Sequence, residues 1–396
     1  MSQEYLVVFG GGKMVGPAIT RFKEGGHKVL VVDGNSAAPS RLVADIFVHQ
    51  DFSDIAATEL ALADYRVSGL VPLNDFAVAA ASAIARSRGL PGWSHFSELC
   101  ARSKVAMKKT WMAANLPTAQ CCFSTVDQVL SSNPPPWNHW PCVVKPSFSG
   151  GGSRGVFVAN SSAEIVEGLL ELRKTYLDGD VVIEEFIEGT EHTLEVLVCH
   201  GEPFLLSISD KANYHNSPTV VQRLYFPGPI GNAHRAEMQS LVYEACRVMR
   251  MDNGTAHFEV MLRAGRPYLL EVGGRPGGGI NLHPICELST GYDYPSLLAA
   301  VLTGNPPDFL RKPNKYLAWH YFDAGPGILR EVLGFDEVAV SEGVVDAALY
   351  EKIGQERMDL RDDLARPGYI LVAADSHVEA KQLAHRLEAK VKFLVD

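Results

Sequence analysis

One stretch of the chain has a backbone almost bare of side chains, "VVKPSFSGGGSRGVF" at residues 143–157. An apolar run ends at Lys145, a proline follows, and the consecutive glycines Gly150–Gly152 lie between two serines, with Arg154 directly after them. Such a segment can present several backbone N–H groups to phosphate oxygens. A flexible turn has a similar composition, but here two cations converge where phosphates would lie. The stretch therefore predicts a phosphate-binding loop, although its pattern is not the Walker loop GxxxxGK[ST].

The overall charge indicates what kind of partner to expect. The 396 residues include 36 Lys and Arg against 46 Asp and Glu, a formal net charge of −10. Nucleic acids and anionic membranes need a basic surface, so the expected partners are small molecules. The seven cysteines form no CxxC pair, which disfavours disulfides and thiolate metal sites. With no long apolar run and no basic leader, these features predict a soluble, cytoplasmic protein.

The hydrophobic pattern predicts an α/β protein. The continuous apolar runs Leu6–Phe9 and Val29–Val32 are typical of buried parallel strands in an open α/β module of about a hundred residues. Residues 103–116 have helical periodicity, with Ser103 as the N-cap. A proline-rich connector follows at 131–141, strands and helices then alternate, and the C-terminal segment predicts a small α+β unit.

A glycine-rich turn near the start allows an alternative function. Gly10, Gly12 and Gly16 follow the first strand, and Asp33 ends the second. Glycines in this position let the backbone approach a pyrophosphate, and an acid there can hold a ribose. The spacing is looser than the dinucleotide fingerprint, and such turns also occur wherever a helix packs close to its strand. A nicotinamide-dependent oxidoreductase is therefore one alternative.

A pair of acidic residues in a predicted hairpin indicates a metal site. The stretch "HFEVMLRAGRPYLLE" reads as two strands joined at RAGRP. With Ala264–Arg266 as the turn, Glu259 faces Glu271 directly across the strands. Like charges about 5 Å apart repel each other, whereas carboxylates that supplement phosphate oxygens are common Mg²⁺ ligands. A solvent-facing acidic pair is the alternative at this point.

Five motifs stand in order along the chain: SKVAMKK, VVKPSFSGGGSRGV, EEFIEGTE, FEV and LLEVGGR. In these motifs the chain resembles the ATP-grasp superfamily of carboxylate–amine ligases over essentially its whole length. The resemblance implies an α/β (α+β) ATP-grasp fold with a Rossmann-like N-terminal module at 1–102 that has usually lost dinucleotide binding. A glycine-loop lid with a linker helix is implied at 103–192, and a large subdomain at 193–396, with its closing part at 315–396.

The resemblance also implies roles for individual residues. ATP phosphates are held by Lys104, Lys145 and the mobile loop of Ser149, Gly150, Gly151, Gly152, Ser153, Arg154 and Gly155. Adenine and ribose are held by Glu184, Glu185, Phe186, Ile187 and Glu191. The implied ligands of Mg²⁺, for which Mn²⁺ can substitute, are Glu259 and Glu271. The implied catalytic cations are Lys145, Arg154 and Arg275, of which Arg275 also holds a substrate carboxylate or acyl phosphate.

One position departs from the family pattern. Many relatives carry asparagine two residues after the second glutamate, where this chain has Gly273. The resemblance therefore leaves the number of metal ions open, but not the class of reaction. A ligase of this kind transfers the γ-phosphate of ATP to a carboxylate, and an amine then displaces phosphate.

The C-terminal segments resemble the closing subdomain shared by biotin-carboxylase-type and L-amino-acid-ligase-type members. A carboxylase would place a glutamate shortly after the arginine, where this chain has Asn281 and His283. We therefore expect an amino acid to be coupled to an amine, most simply a second amino acid. A carboxylase that uses bicarbonate is the alternative within the superfamily.

Residues that could select the substrate are less clearly marked. The candidates are Lys211, His215, Arg223, Tyr225, Arg275 and Gly278. The sequence does not identify the two substrates, the catalytic base or the pathway. A homodimer is compatible with it.

Overall fold

The computed structural model of the protein describes residues 3–131, 137–148, 150–175, 179–312 and 314–396. Ser149 of the predicted glycine loop lies outside the described residues, as does the centre of the predicted connector at 131–141. In the described part of the chain, no helix is both long and apolar enough to cross a bilayer.

The N-terminal module is a parallel sheet flanked by helices. Its elements are β1 (Glu4–Phe9), α1 (Gly16–Glu24), β2 (Val29–Asp33), β3 (Ile46–His49), α2 (Ile55–Ala61), β4 (Arg66–Pro72) and α3 (Ala77–Arg88), followed by α4 (His95–Arg102) and α5 (Lys104–Ala113). The strand order is β3-β2-β1-β4. The apolar runs of β1 and β2 are fully buried, as their continuous hydrophobicity predicts. The carboxyl ends of β1 and β4 lead into Gly10 and Asp75, which places both residues at one edge of the sheet.

The lid is a small antiparallel sheet covered by two helices. It consists of β5 (Cys121–Thr125), α6 (Val126–Ser131), β6 (Cys142–Pro146), β7 (Phe157–Ala159), α7 (Ser162–Thr175) and β8 (Asp180–Glu185). The strand order is β5-β8-β6-β7, so β6 and β8 are central. The side chain of Lys145 and that of Glu184 therefore come from neighbouring strands.

The remaining residues form a large antiparallel sheet with a small one beside it. The elements are β9 (Thr190–Cys199), β10 (Glu202–Ile208), β11 (Asp210–Tyr214), β12 (Ser217–Phe226), α8 (Asn232–Val248), β13 (Gly254–Arg263), β14 (Arg266–Gly273), α9 (Cys286–Thr290), α10 (Tyr294–Leu302), β15 (Tyr316–Tyr321), β16 (Gly327–Leu333), α11 (Phe335–Ala339), β17 (Val344–Leu349), β18 (Glu356–Arg357), β19 (Gly368–Ala374), α12 (His377–Glu388) and β20 (Lys392–Val395). The large sheet has the order β14-β13-β9-β11-β12-β15-β19-β17, with β10 paired to β9. The small sheet has the order β18-β16-β20.

The division into domains remains a proposal and needs one adjustment. Strand β9 runs from Thr190 to Cys199 without a break, so the predicted boundary at 192 falls inside a strand. We place it instead in the turn between β8 and β9. The predicted closing part at 315–396 adds β15, β17 and β19 to the large sheet, so it shares a sheet with the rest of the subdomain.

The hairpin of β13 and β14 has a different turn from the predicted one. Its turn is the two residues Ala264 and Gly265, both with left-handed backbone (φ +49° and +80°), and not the three residues Ala264–Arg266. Glu259 nevertheless faces Glu271, because a bulge at Leu270 shifts the register back by one residue. The predicted pairing is thus confirmed, for a reason that the sequence did not indicate.

The left-handed turn leads to a stability prediction. An Ala264→Asn substitution should raise the midpoint of thermal unfolding, because asparagine tolerates the left-handed region better than alanine and Asn-Gly suits this turn type. We expect a gain of about 0.5 kcal/mol in unfolding free energy. Gly265→Ala in the same turn should have the opposite sign, and unfolding midpoints that move in the same direction for both variants would contradict the assigned turn.

Candidate functional site

A cavity of about 540 Å³ lies between the lid and the large sheet, and we refer to it as the first cavity. Its lining includes Lys104, Lys145, Gly151, Gly152, Ser153, Glu184, Glu185, Phe186, Ile187, Glu188, Glu191, Lys211, His257, Glu259, Glu271 and Arg275. The structure therefore brings most of the predicted nucleotide and metal residues to one place. A larger groove of about 1690 Å³ beside α7 contains neither the predicted lysines nor the paired glutamates.

One end of the first cavity has apolar walls. Val143 and Val156 come from the lid, and Met261 and Leu270 come from the β13–β14 hairpin. Ile187 in the turn between β8 and β9 completes this surface and is only 4% exposed. A flat aromatic base fits between such walls, which agrees with the predicted position of adenine.

Glu184 lies between two buried lysines. Its carboxylate is 2.5 Å from Nζ of Lys145 and 2.7 Å from Nζ of Lys108. Burial raises the pKa of Glu184, but the charges of the two lysines outweigh this effect and lower the pKa to about 2. The predicted contact of this side chain with adenine is not what the geometry favours, because its carboxylate is already occupied in holding the lysines.

Lys108 was not identified as a site residue from the sequence. Its side chain is fully buried, and Nζ also donates a hydrogen bond to Thr118 Oγ1 at 2.8 Å. Burial lowers the pKa of Lys108, and the charge of Glu184 only partly offsets this. Lys145 differs from it, because Glu184 and Glu271 together outweigh burial and raise the Lys145 pKa. A spacing of four residues from Lys104 on one helix was the signal that could have revealed Lys108.

The paired glutamates are each bound to a lysine. Glu271 is 2.9 Å from Lys104, and Glu259 is 3.2 Å from Lys211. Lys211 also lies 2.6 Å from Glu191, the predicted ribose ligand. Burial raises the pKa of Glu259, but Lys211 outweighs it and lowers the pKa to about 2, so this carboxylate is ionised at neutral pH.

The glycine loop, which we call the flap (residues 150–155), has an unusual backbone. Gly150, Gly151 and Gly152 have φ of +73°, +75° and +67°, and Ser153 follows at +58°. A run of left-handed residues strains any residue with a Cβ atom, so the bare sequence is a conformational requirement. A Cβ atom on Gly150 would also lie 2.1 Å from the ring of Phe76.

The flap is held from two other parts of the protein. The backbone N–H of Asp363 donates to the carbonyl of Gly152 at 3.1 Å, and Ser153 Oγ donates to the carbonyl of Thr219 at 2.5 Å. Arg154, predicted as a catalytic cation, has its guanidinium 5.6 Å from the ring centroid of Phe76. It lines a neighbouring cavity and not the first one.

This neighbouring cavity, which we call the second cavity, has a volume of about 420 Å³. It shares Gly151–Ser153, Lys211, His257, Glu259 and Arg275 with the first. The predicted substrate residue Gly278 lies in its wall. The two cavities are therefore adjacent, with Arg275 at the shared boundary.

Arg275 is bound to an aspartate from the N-terminal module. Its Nε and Nη2 donate to Oδ2 of Asp75 at 3.0 and 2.8 Å. Burial raises the pKa of Asp75, but Arg275 outweighs this and keeps the pKa below its ordinary value. A Cβ atom at Gly273 would lie 3.0 Å from Asp75 Oδ1 and 3.4 Å from Arg275, so a side chain there would have to displace this pair slightly.

His257 is a second residue that the sequence reading missed. It lies two positions before Glu259 on β13, lines both cavities, and has Nδ1 2.6 Å from Glu195. Glu195 is buried and also accepts hydrogen bonds from Gly277 N–H and Tyr294 OH. The signal was the alternation of a strand, which puts residues 257 and 259 on one face.

Of the four polar residues predicted on β11 and β12 or the turn between them, only Lys211 reaches a cavity of this site. Arg223 binds Glu388 of α12 at 3.1 Å, and Tyr225 bonds to His320 at 3.2 Å. These two alternate residues share a face of β12 that α12 covers. His215 is exposed in the turn between the strands. The structure therefore places these three residues outside both cavities, which does not favour the predicted role in substrate selection.

The residues behind the alternative functions have other structural roles. Asp33 accepts hydrogen bonds from the backbone N–H groups of Gly11 and Asn35, at 2.6 and 2.7 Å, and so closes its own loop. Asn281 donates to Glu195 at 2.7 Å, and His283 lies 3.4 Å from Glu287, outside both cavities. The side chains of Asp33, Asn281 and His283 are thus engaged in contacts within the protein, which does not favour the alternative functions.

Comparison with known proteins agrees with this geometry. Residues 138–283 match the ATP-grasp domain, and residues 320–396 match the L-amino acid ligase C-terminal domain 2. Dapdiamide A synthase of Enterobacter agglomerans is 26% identical over 260 residues, which cover 62% of this chain and 60% of that protein. A D-alanine–D-alanine ligase of Ralstonia nicotianae is 31% identical over 225 residues, covering 52% of this chain and 64% of the relative. The chain thus spans less than two thirds of these relatives.

Solved structures show the same fold. The L-amino acid ligase from Bacillus licheniformis superimposes with a TM-score of 0.83 at 21% identity, covering 100% of this chain and 99% of the other. Phosphoribosylglycinamide synthetase from Anaerococcus prevotii gives a TM-score of 0.75 at 19% identity, with 100% of both chains covered. Residues 138–283 of the chain therefore form an ATP-grasp domain, followed at 320–396 by a domain that matches the C-terminal domain 2 of L-amino acid ligases.

Proposed function

We propose that this protein is an ATP-dependent carboxylate–amine ligase that couples an amino acid to an amine, most simply a second amino acid. The observation that carries the proposal is the set of lysine–glutamate pairs that line the first cavity. This cavity adjoins the second cavity at Arg275. The similarity to D-alanine–D-alanine ligases, whose name describes the joining of two amino acids, supports this assignment.

The residues present fit a divalent metal beside the nucleotide. Glu259 and Glu271 face each other on neighbouring strands, and their carboxylate oxygens are ligands that Mg²⁺ prefers. Each is held by a lysine and can exchange it for a metal. When bound, Mg²⁺ would neutralise charge on the phosphate oxygens.

The lysines supply the remaining positive charge. With a metal held by Glu259 and Glu271, Lys104 and Lys211 would face the phosphates, and Glu184 would keep Lys145 extended toward them. For in-line phosphoryl transfer the protein mainly positions groups and offsets charge. The closed flap excludes water, which protects an acyl phosphate from hydrolysis.

The proposed reaction has two steps, phosphoryl transfer to the carboxylate and attack of the amine on the acyl phosphate. A carboxylate oxygen attacks the γ-phosphorus, the bond to the β–γ bridging oxygen breaks, and ADP leaves. The amine nitrogen then attacks the acyl carbon, and phosphate leaves with the electrons of the C–O bond. The nitrogen loses a proton, for which His257 is the proposed acceptor: Glu195 holds Nδ1, so Nε2 is the nitrogen that can accept it.

The metal assignment predicts the effect of Glu271→Gln. The variant should fold normally and lose at least about 100-fold in ATP-dependent amide formation, because a neutral amide is a poor Mg²⁺ ligand. Phosphate release, measured with pairs of amino acids and with mass detection of the product, reports the loss. Glu202→Gln, on an exposed part of β10, is the matched control. Full activity of the Glu271 variant would exclude this metal site.

The role of Lys108 can be separated from that of its neighbour. Lys108→Met should weaken ATP binding about 10-fold or more, because Glu184 would then draw Lys145 away from the phosphates. Lys109→Met is the control, since Lys109 is exposed on the same helix. Calorimetric titration with MgATP measures the difference. Equal affinities for the two variants would show that Lys108 does not position Lys145.

A substitution that disturbs the flap should uncouple acyl phosphate formation from amide formation. Gly150→Ala adds a Cβ atom to a left-handed residue against Phe76, so it should disfavour the closed flap and admit water. We expect amide formation to fall about 10-fold and the ratio of phosphate to amide to rise. Gly231→Ala, where φ is −62° and no atom lies near the new Cβ, should change neither quantity. An unchanged ratio in the Gly150 variant would contradict a water-excluding role.

A further inference from the structure

The second cavity has polar groups without partners at its wall. Trp319 Nε1 and Arg366 Nη1 are buried donors with no hydrogen-bond partner among the described residues, and Asn281 Oδ1 is a buried acceptor in the same position. A buried polar atom left unpaired costs roughly 1–3 kcal/mol. Arg154 Nε and Asp363 Oδ1, also on lining residues, are unpaired in the same way, and five such atoms around one cavity indicate that a bound group completes hydrogen bonds there.

One part of the wall is apolar, although charged residues such as Lys13 and Asp363 also line the cavity. Met14, Val221 and Leu224 line the cavity together with the ring of Tyr321. The guanidinium of Arg366 lies 3.6 Å from the Tyr321 ring centroid, so its plane is fixed by cation–π contact. A ligand here would therefore contact hydrocarbon along its length and meet donors from Trp319 and Arg366.

The position of Arg275 orients such a ligand. It borders both cavities with Glu259 and Lys211, so a carboxylate that receives phosphate belongs at this shared boundary. The side chain of the same amino acid then extends into the second cavity. At Gly278 nothing lies within 4 Å of an added Cβ atom, so this part of the wall leaves room for it.

We propose that the second cavity selects, as the amino acid to be activated, one whose side chain has an apolar stem ending in a carbonyl oxygen, either a carboxamide or a carboxylate. The oxygen accepts from Trp319 Nε1 and Arg366 Nη1. This inference rests on the proposed ligase function and specifies its substrate class. Aliphatic side chains of the same length leave both donors unpaired and are disfavoured.

Hydroxylamine can take the place of the second substrate, so the preference for the activated amino acid can be measured by itself. Its nitrogen attacks the acyl carbon of an acyl phosphate and phosphate leaves. The hydroxamate that forms is measured from the absorbance of its ferric complex. With MgATP and hydroxylamine, glutamine or glutamate should give kcat/KM at least about 10-fold above methionine and leucine. Comparison of glutamine with glutamate distinguishes the neutral from the anionic end group.

A conservative variant tests the contact itself. Trp319→Phe keeps a ring and removes Nε1, so the ratio of glutamine to methionine should fall about 10-fold. Trp137→Phe, in the lid, should leave that ratio unchanged.

The outcomes separate the inference from the function. Equal or better use of methionine and leucine by the unaltered protein would overturn the inference alone, as would a Trp319→Phe variant whose ratio is unchanged. Absence of hydroxamate with every amino acid, while MgATP still binds, would overturn the ligase function and with it the inference. If the Trp319 variant fails to fold, the comparison of amino acids in the unaltered protein remains decisive.

Discussion

The site depends on buried ion pairs between lysines and glutamates. Four lysines and four glutamates take part: Lys104, Lys108, Lys145 and Lys211 with Glu184, Glu191, Glu259 and Glu271. Isolated charges at this depth would be too costly, so each stabilises another. In the proposed function, Glu259 and Glu271 would hold a metal and the lysines that now pair with them would face the phosphates, so the arrangement suits an exchange of partners. The site thus holds its charges in place before any ligand arrives.

Local periodicity predicted much of this arrangement. The apolar runs gave the buried strands β1 and β2, and alternation identified β13 and β14 as the two strands of a hairpin. The same rules could have given more. Lys108 is one helical turn from Lys104, and His257 is two strand positions from Glu259. Lys108 shares a helix face with Lys104, and His257 shares a strand face with Glu259. Motif matching alone does not identify either of them, because it treats each motif residue separately from its neighbours on the same face.

The features that could not be predicted depend on which elements pack against each other in the folded protein. Arg223 and Tyr225 have the polar and aromatic character of a binding site, but α12 covers their face of β12. The ion pair of Asp75 with Arg275 joins residues 200 positions apart, and no local pattern indicates it. The bulge at Leu270 is similar, since its effect on register cancelled an incorrect turn length. Tertiary packing decides these points.

The flap has a consequence for the order of events. Gly151–Ser153 form part of the wall of both cavities, so displacement of this segment as a whole changes the wall of both at once. In the proposed ligase, nucleotide and acid would therefore be loaded while the flap is displaced, and both products would leave in the same interval. A single short segment of backbone would thereby limit both idle consumption of nucleotide and escape of the activated acid.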